Sequence, residues 1–212
     1  MSENPSLLLS TAYFPPIQYV TKLLSSVIVE KFENYSKQSF RNRCVIYGAN
    51  GPQTLVVPVK KTHGNKTLIK DILIDYDTNW QTNHFRSIQS AYKSAPFYEY
   101  YIDDYLIFFE KKFKFLLDLN TQITKIICDH LSIDSVIHFS KTFIHEFNPE
   151  CDFRNTIHPK KRMFKPDKNF QPFKYIQVFE EKYGFVENLS VIDLIFNEGI
   201  ESRTILNKST CL

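Results

Sequence analysis

Residues 6–16 of the chain read Ser-Leu-Leu-Leu-Ser-Thr-Ala-Tyr-Phe-Pro-Pro, a short apolar run that closes on two adjacent prolines. The run predicts a buried first strand over residues 6–12 that ends in a turn. A helix is expected after the prolines, because proline suits the first turn of a helix and the following apolar residues recur at helical spacing. Those residues are Ile17, Val20, Leu23 and Leu24. Residues 27–32 then predict a second strand.

The remaining pattern places most strands in the first half of the chain and helices after them. Further strands are predicted over residues 43–47, 54–60, 69–74 and 136–147, the first two joined by a hairpin turn. Helices are predicted over residues 78–94, 96–112, 115–131, 175–183 and 191–197. We therefore expect a single domain over residues 1–212 of the α/β or α+β class. Its mixed sheet comes from the N-terminal half and packs with helices mainly from residues 78–131 and 173–206.

Glycine is scarce in this chain. The 212 residues include 5 glycines, against 19 phenylalanines and 12 tyrosines. Neither G-x-G-x-x-G nor the phosphate-loop pattern G-x-x-x-x-G-K-[ST] occurs, which argues against standard dinucleotide enzymes and P-loop NTPases. No cofactor is evident. The formal net charge of +3 is too small to indicate a nucleic acid as the partner.

The four cysteines have no C-x-x-C spacing and no histidine at metal-ligand spacing, which argues against a structural zinc site. Reduced, buried thiols are typical of cytoplasmic proteins. The N-terminal residues lack the basic region of a signal peptide, and no run of about 18 apolar residues occurs. We therefore expect a cytoplasmic protein without a membrane span or a metal site. The sequence leaves its oligomeric state open.

Several stretches of the chain occur in the order that a known family shows. They are residues 13–19 (Tyr-Phe-Pro-Pro-Ile-Gln-Tyr), 40–46 (Phe-Arg-Asn-Arg-Cys-Val-Ile), 55–59 (Leu-Val-Val-Pro-Val), 95–98 (Ala-Pro-Phe-Tyr), 183–185 (Tyr-Gly-Phe) and 188–199 (Asn-Leu-Ser-Val-Ile-Asp-Leu-Ile-Phe-Asn-Glu-Gly). On these residues the chain resembles a short form of the WbqC-like protein family, from about residue 9 to residue 206. Longer members carry His-Gln-Pro where this chain has Leu9-Ser10-Thr11, so a catalytic role for that histidine does not carry over.

The resemblance implies a bacterial protein that serves the synthesis of O-antigen and other cell-surface polysaccharides. For some members it implies an acyl or aminoacyl transferase, glycine being the suggested group, that modifies a sugar or sugar nucleotide. The expected substrate is then a small molecule or a sugar nucleotide. The alternative is a non-catalytic protein that binds a ligand or a partner enzyme of glycan assembly.

His84 and Ser87 are the candidate catalytic residues. They are three residues apart in a predicted helix and therefore share a face, where a histidine can act as the base for a hydroxyl nucleophile. The alternative is that this spacing has arisen by chance, since such pairs are frequent in helices.

Gln18, Arg41, Arg43 and Tyr92 are candidate substrate-binding residues. Arg41 and Arg43 alternate along a presumed strand, so both would face one side, where guanidinium groups suit a carboxylate or phosphate. The alternative is that each arginine pairs with an acid of the same sheet. Gln18 follows the first strand as a polar group that would orient the substrate. An enzyme of this kind requires Arg41, Arg43, His84 and Tyr92 to converge on one concave pocket.

Residues 148–172 are predicted to form a basic, proline-containing loop within the domain. Residues 154–174 carry seven basic side chains and one acid. Arg154, His158, Lys160 and Lys161 are therefore candidates for docking the phosphates of a nucleotide-linked substrate. The alternative is a solvated loop without a ligand.

Ser190 and Asp193 have the spacing of a capping box at the start of the last predicted helix, with Asp in place of Glu. This interpretation gives both residues a structural role. The rival interpretation is that the helix N-terminus receives an anionic group of the ligand.

Overall fold

A βαβ unit forms the N-terminal part of the fold in the computed structural model, which describes residues 7–60, 66–160 and 166–210. β1 (Leu7–Leu9) leads through the two prolines into α1 (Ile17–Lys22), and β2 (Val27–Val29) returns parallel to β1. Every residue of α1 is buried. The predicted order of strand, turn, helix and strand is confirmed, with both strands shorter than predicted.

The parallel sheet has the order β1-β2-β5, in which β5 (Ile137–Phe139) pairs with the central strand β2. On the far side of β1, Leu8 forms a further parallel bridge with Asp152. Because these segments run in the same direction, their carboxyl ends lie side by side along one edge of the sheet.

A separate antiparallel hairpin consists of β3 (Arg43–Gly48) and β4 (Gly51–Val56). Gly51 has a φ of 101°, a conformation that glycine adopts without strain. The predicted hairpin is confirmed, with its second strand beginning at Gly51 instead of Thr54. The predicted α/β class is confirmed as well, and the strands of the described residues are divided between two small sheets.

Helices surround the sheets and form most of the core. After α1 they are α2 (Trp80–Tyr92), α3 (Tyr98–Glu110), α4 (Leu116–His130), α5 (Glu180–Tyr183), α6 (Val191–Glu198) and α7 (Ser202–Lys208). α6 is buried from Val191 to Asn197 and ends at Gly199. Gly199 has a φ of 55°, and a Cβ there would lie 2.6 Å from the ring of Phe97, so only glycine fits this position.

Two predicted strands differ from the structure. The strand predicted over residues 69–74 is a 3-10 turn at Ile69–Asp71 followed by single antiparallel bridges at Leu73 and Ile74, because these two residues pair with two different segments. The strand predicted over residues 136–147 is limited to β5. The chain then wraps around Glu30, which accepts a hydrogen bond from the Ser140 hydroxyl.

The helix predicted over residues 175–183 forms only as α5, because Tyr175 and Gln177 reach inward to the carboxylate of Asp193. Ser190 precedes α6 as predicted, but the predicted capping box is wrong. The Ser190 hydroxyl donates to the backbone carbonyl of Phe14 and caps no N–H of the helix.

Candidate functional site

A polar residue follows each strand of the parallel sheet at its carboxyl end. Ser10 follows β1, Glu30 follows β2 and Ser140 follows β5, and all three are buried. In open α/β sheets, ligands bind in the crevice outside the carboxyl ends of the strands. The candidate functional site therefore lies at this edge of the sheet.

Arg41 and Glu33 form a two-point ion pair at this edge. Nε and Nη2 of Arg41 lie 2.7 Å and 2.5 Å from the two carboxylate oxygens of Glu33. Nη2 also donates to the Ser10 hydroxyl at 2.6 Å. That hydroxyl lies 3.0 Å from the backbone carbonyl of Arg154, so the ion pair is joined to the segment beyond β1.

Glu30 is fully buried and is satisfied by donors from three segments. Its Oε1 accepts from the Ser140 hydroxyl at 2.6 Å, and its Oε2 accepts from the backbone N–H of Ile144 at 2.8 Å. Nη1 of Arg154 lies 3.7 Å from the same Oε2. Arg154 also bonds Asp152 at 2.6 Å, and this hydrogen bond raises the pKa of the guanidinium.

We call these residues the edge network: Ser10, Glu30, Glu33, Arg41, Ser140, Asp152 and Arg154. Its carboxylates and guanidinium groups compensate one another, as buried charges must. Nε and Nη2 of Arg41 and Nη2 of Arg154 are committed to partners within the protein. The edge network therefore joins the strand ends to one another, and the cavities lie beside it.

The largest part of the crevice is a groove between α4 and one face of the parallel sheet, with a volume of about 300 Å³. We call it the α4 groove. The sheet and the segments near it contribute Thr11, Tyr19, Val29, Ile133, Ser135, Ile137 and Phe139, and α4 contributes Thr121, Thr124, Lys125, Cys128 and Asp129. A narrow space lined by Ser10, Arg41 and Arg154 shares Thr11 and Tyr19 with the groove, so the groove adjoins the edge network.

The titratable groups inside the α4 groove are neutral. Burial raises the pKa of Cys128 to about 11 and raises the pKa of the Tyr19 hydroxyl as well. Cys128 is thus a thiol at neutral pH, not the thiolate that covalent catalysis needs. Lys125 and Asp129 lie exposed at the rim, one helical turn apart. The groove therefore has an apolar interior with charges at its mouth.

A polar cleft of about 270 Å³ adjoins the same narrow space through Phe153. It is lined by Pro149, Glu150, Phe153, Thr156, Pro166, Asp167, Lys168 and Asn169. Beside it, the buried ammonium of Lys22 lies 2.7 Å from Asp167 and 4.7 Å from the centre of the Phe153 ring. Nε2 of Gln18 donates to the same carboxylate at 3.0 Å, so Gln18 holds this segment against α1.

The structure brings Arg41 and Arg154 to the crevice but does not bring Arg43 there, and Gln18 lines none of its three cavities but bonds Asp167 of the polar cleft. The prediction that Arg41 and Arg43 alternate along one strand is wrong, because Arg41 lies in a 3-10 turn, Phe40–Asn42, that precedes β3. The alternative interpretation is correct in part for Arg41, which pairs with an acid, but that acid, Glu33, lies beyond the end of β2 and not in the sheet. Arg43 lies beside Tyr35 at the start of β3, and partial burial lowers the pKa of its guanidinium.

His84 and Tyr92 lie in α2, away from the crevice, and line none of its three cavities. Nδ1 of His84 is 2.9 Å from the hydroxyl of Tyr13, and burial lowers the pKa of the ring to about 4. Ser87 accepts a hydrogen bond from Gln53 and not from His84. The Tyr92 hydroxyl accepts from the backbone N–H of Tyr47 at 2.9 Å.

In the basic loop, His158 accepts a hydrogen bond from the backbone N–H of Lys160, whose ammonium reaches Gln38. Lys161 lies outside the described residues. Neither His158 nor Lys160 lines the three cavities of the crevice. Of the predicted phosphate-docking residues, Arg154 alone reaches the crevice within the part of the chain that the structure describes.

Sequence reasoning missed the polar residues at the strand ends and the whole α4 groove. A signal for the first was present, since Leu9-Ser10, Val29-Glu30 and Phe139-Ser140 each place a polar residue directly after a short apolar run. Glu30 was hidden because the predicted second strand extends past it to residue 32. The groove had no signal of its own, because its apolar residues are typical of an ordinary core.

The fold defines the chain as an α/β domain with a parallel sheet and a crevice at the carboxyl edge of that sheet. The sequence profile of the WbqC-like protein family matches residues 11–155, and the chain belongs to this family. It is 26% identical over 216 residues to the Uncharacterized protein Rv1507c of Mycobacterium tuberculosis (strain ATCC 25618 / H37Rv), a match that covers 92% of this chain and 91% of the relative. No solved structure matches the chain. Among the described residues, no helix has both the length and the apolar character needed to cross a bilayer.

Proposed function

We propose that this protein is a cytoplasmic, small-molecule-binding protein of surface-polysaccharide assembly, and that its ligand occupies the crevice at the carboxyl edge of the sheet. The observation that carries the proposal is the α4 groove, a preformed cavity of about 300 Å³ next to the strand ends. The polysaccharide context comes from the family resemblance. A small molecule is the expected ligand, and a sugar nucleotide is the one that the family resemblance implies.

Acyl or aminoacyl transfer is the second candidate function, and the position of Asp129 favours it. The carboxylate lies exposed at the rim of the groove, where an acceptor amine can approach a bound acyl donor. The amine nitrogen would attack the carbonyl carbon of an activated acyl donor, forming the C–N bond. The bond to the leaving group would break, and the proton lost by the amine would pass to Asp129. His84 and Ser87, the catalytic pair that the sequence predicts, stay a prediction as the alternative to Asp129.

Binding is tested by a thermal-shift screen of nucleotides, sugar nucleotides, acyl-CoA and amino acids. A ligand that binds only the folded state raises the melting temperature, and the rise grows with the ratio of free ligand to Kd. Thr121→Trp fills the mouth of the groove, and Gln122→Trp places the same ring on the exposed side of α4 as the matched control. We expect one ligand class to stabilise the native chain and the Gln122→Trp variant but not the Thr121→Trp variant. Stabilisation by none of the four classes would contradict the proposal.

Transfer is tested separately, by release of free CoA thiol from acyl-CoA in the presence of an amine. Asp129→Asn should abolish release if Asp129 is the base, whereas Asp118→Asn, an exposed acid at the other end of α4, should leave it unchanged. Ligand binding without thiol release would leave the binding function and remove the transferase.

A further inference from the structure

We propose that the α4 groove takes a straight aliphatic chain whose anionic head lies at the rim, as in an acyl group or a fatty carboxylate. The inference rests on the proposed function, because it names the class of ligand for the same crevice. The transferase hypothesis allows two kinds of transferred group, a hydrocarbon acyl group and an aminoacyl group as small as glycyl. This inference distinguishes between them.

The walls of the groove present apolar surface to water. Val29, Ile137 and Phe139 lie on one face of the sheet, because they occupy alternate positions at matching register in β2 and β5. Phe139 keeps 38% of its surface exposed although it belongs to a strand. An apolar ligand that covers this surface gains binding free energy because apolar area is removed from water, whereas a polar ligand gains none in this way. A glycyl group would cover little of a cavity of about 300 Å³.

Two of the five hydroxyl groups of the lining are already committed to the protein. The Thr121 hydroxyl donates to the backbone carbonyl of Leu117 at 2.8 Å, and the Ser135 hydroxyl donates to the carbonyl of Leu23. These two hydroxyls have no proton left to donate to a sugar or a nucleotide base, which would lose hydrogen bonds to water at this part of the groove. An alkyl chain has no such bonds to lose.

A cation at the mouth of the groove can pair with an anionic head. Lys125 lies at the rim and forms no ion pair with the residues that the structure describes. Asp129, the carboxylate of the rim, lies one helical turn away. The head would pair with the ammonium of Lys125.

The test is a chain-length series measured by isothermal titration calorimetry on the full chain. Sodium salts of the straight-chain carboxylates from butanoate to dodecanoate are titrated in turn. We expect affinity to rise about fourfold for each added methylene until the groove is full, and then to level off. Thr121→Trp should abolish the rise, and Gln122→Trp should keep it.

The head is tested with octanoate and with octanol, which carries no charge. Lys125→Glu should weaken octanoate about three- to tenfold and leave octanol unchanged, while Lys93→Glu on α2 should change neither. If Lys125→Glu lowered the affinity for octanoate and for octanol equally, the placement of the anionic head beside Lys125 would be wrong.

The outcomes separate this inference from the function it rests on. Affinity that does not depend on chain length, together with stabilisation by a nucleotide, sugar nucleotide or amino acid, would overturn the aliphatic ligand and keep the binding function. If neither a carboxylate nor any of those classes binds, both fail. If affinity rose with the length of the carboxylate and Thr121→Trp did not affect this rise, the aliphatic chain would lie outside the groove. That result would overturn the inference.

Discussion

Two regions of the interior bury carboxylates in opposite ways. In the edge network, Glu33 holds Arg41 through both oxygens, and Glu30 faces Arg154. In the helical half, Asp193 is equally buried but meets neutral donors, the Tyr175 hydroxyl at 2.5 Å and Nε2 of Gln177 at 3.0 Å. Its Oδ1 has no hydrogen-bond partner within the described residues.

The difference shows what a buried cation does for a carboxylate. Where arginine is present, charge is compensated inside the protein, and the pair links segments that are distant in sequence. Where it is absent, burial dominates and raises the pKa of Asp193 to about 6, against the opposing hydrogen bonds of Tyr175, Tyr92 and Gln177. The edge network is therefore sensitive to loss of a partner, and the Asp193 cluster is sensitive to pH.

The largest expected effect comes from removing the cation of the edge network. Arg41→Met leaves Glu33 buried without its partner, which costs about 3–5 kcal/mol of folding free energy. Urea denaturation of the variant and the native chain measures the loss.

The matched control is the double variant Arg41→Met with Glu33→Leu. Replacing a whole buried ion pair by apolar residues is often close to neutral, so the double variant should recover about 2 kcal/mol or more of the loss. Equal stability of the single and double variants would mean that the ion pair is not the source of the effect.

Asp193→Asn should remove a pH dependence that runs against the usual direction. The folded-state pKa of Asp193 is about 6 and the ordinary value is 3.8, so between these values the folded protein binds more protons than the unfolded one. Stability from this group is then full at acid pH and falls by about 3 kcal/mol as the pH rises from about 4 to about 6. Because His84 contributes in the opposite sense over the same range, the measurement is the difference in stability between Asp103→Asn, an exposed control on α3, and Asp193→Asn, which should fall by this amount as the pH rises. If the stability of the two variants changed in parallel with pH, the assignment of this pH dependence to Asp193 would be wrong.

His84→Gln should remove a dependence of the same size and opposite sign. Burial lowers the pKa of His84 to about 4 from 6.5, so the unfolded chain binds more protons between these values. Stability from the neutral ring is full above pH 6.5 and is lost, by about 3 kcal/mol, as the pH falls to about 4. The difference in stability between the native chain and His84→Gln should therefore change over this range. His138→Gln, an exposed histidine of β5, should follow the native chain, and a variant at His84 that also followed it would contradict the prediction.

Local sequence was enough to predict the elements whose signals are local. The apolar run and two prolines before α1 predicted the βαβ start, and helical stripes predicted α2, α3 and α4. The length of β5 was overestimated because it depends on pairing with β2, which lies far away in the sequence. No periodicity within residues 136–147 shows where that pairing stops.

The candidate site was less predictable because its contacts span the chain. Arg41 reaches Glu33 eight residues earlier and the carbonyl of Arg154 113 residues later, so its role as a link is invisible in its neighbours. His84 meets Tyr13 across 71 residues, which turns a helical His-Ser spacing into a buried ring contact. Residue type was enough to predict which side chains can act as acids, bases or ligand-binding groups. Which of them face a cavity depends on tertiary contacts.

The smallest expected effect is at Ser87, a half-buried residue one helical turn from His84. Its hydroxyl accepts one hydrogen bond from Gln53 at 3.2 Å, in contact with water. Ser87→Ala should therefore change stability by no more than about 0.5 kcal/mol, and it should leave ligand affinity and thiol release unchanged. Gln53→Ala removes the same bond from the other side and serves as the control. Loss of thiol release in Ser87→Ala at native stability, with Gln53→Ala active, would instead support Ser87 as the nucleophile and place the chemistry on α2.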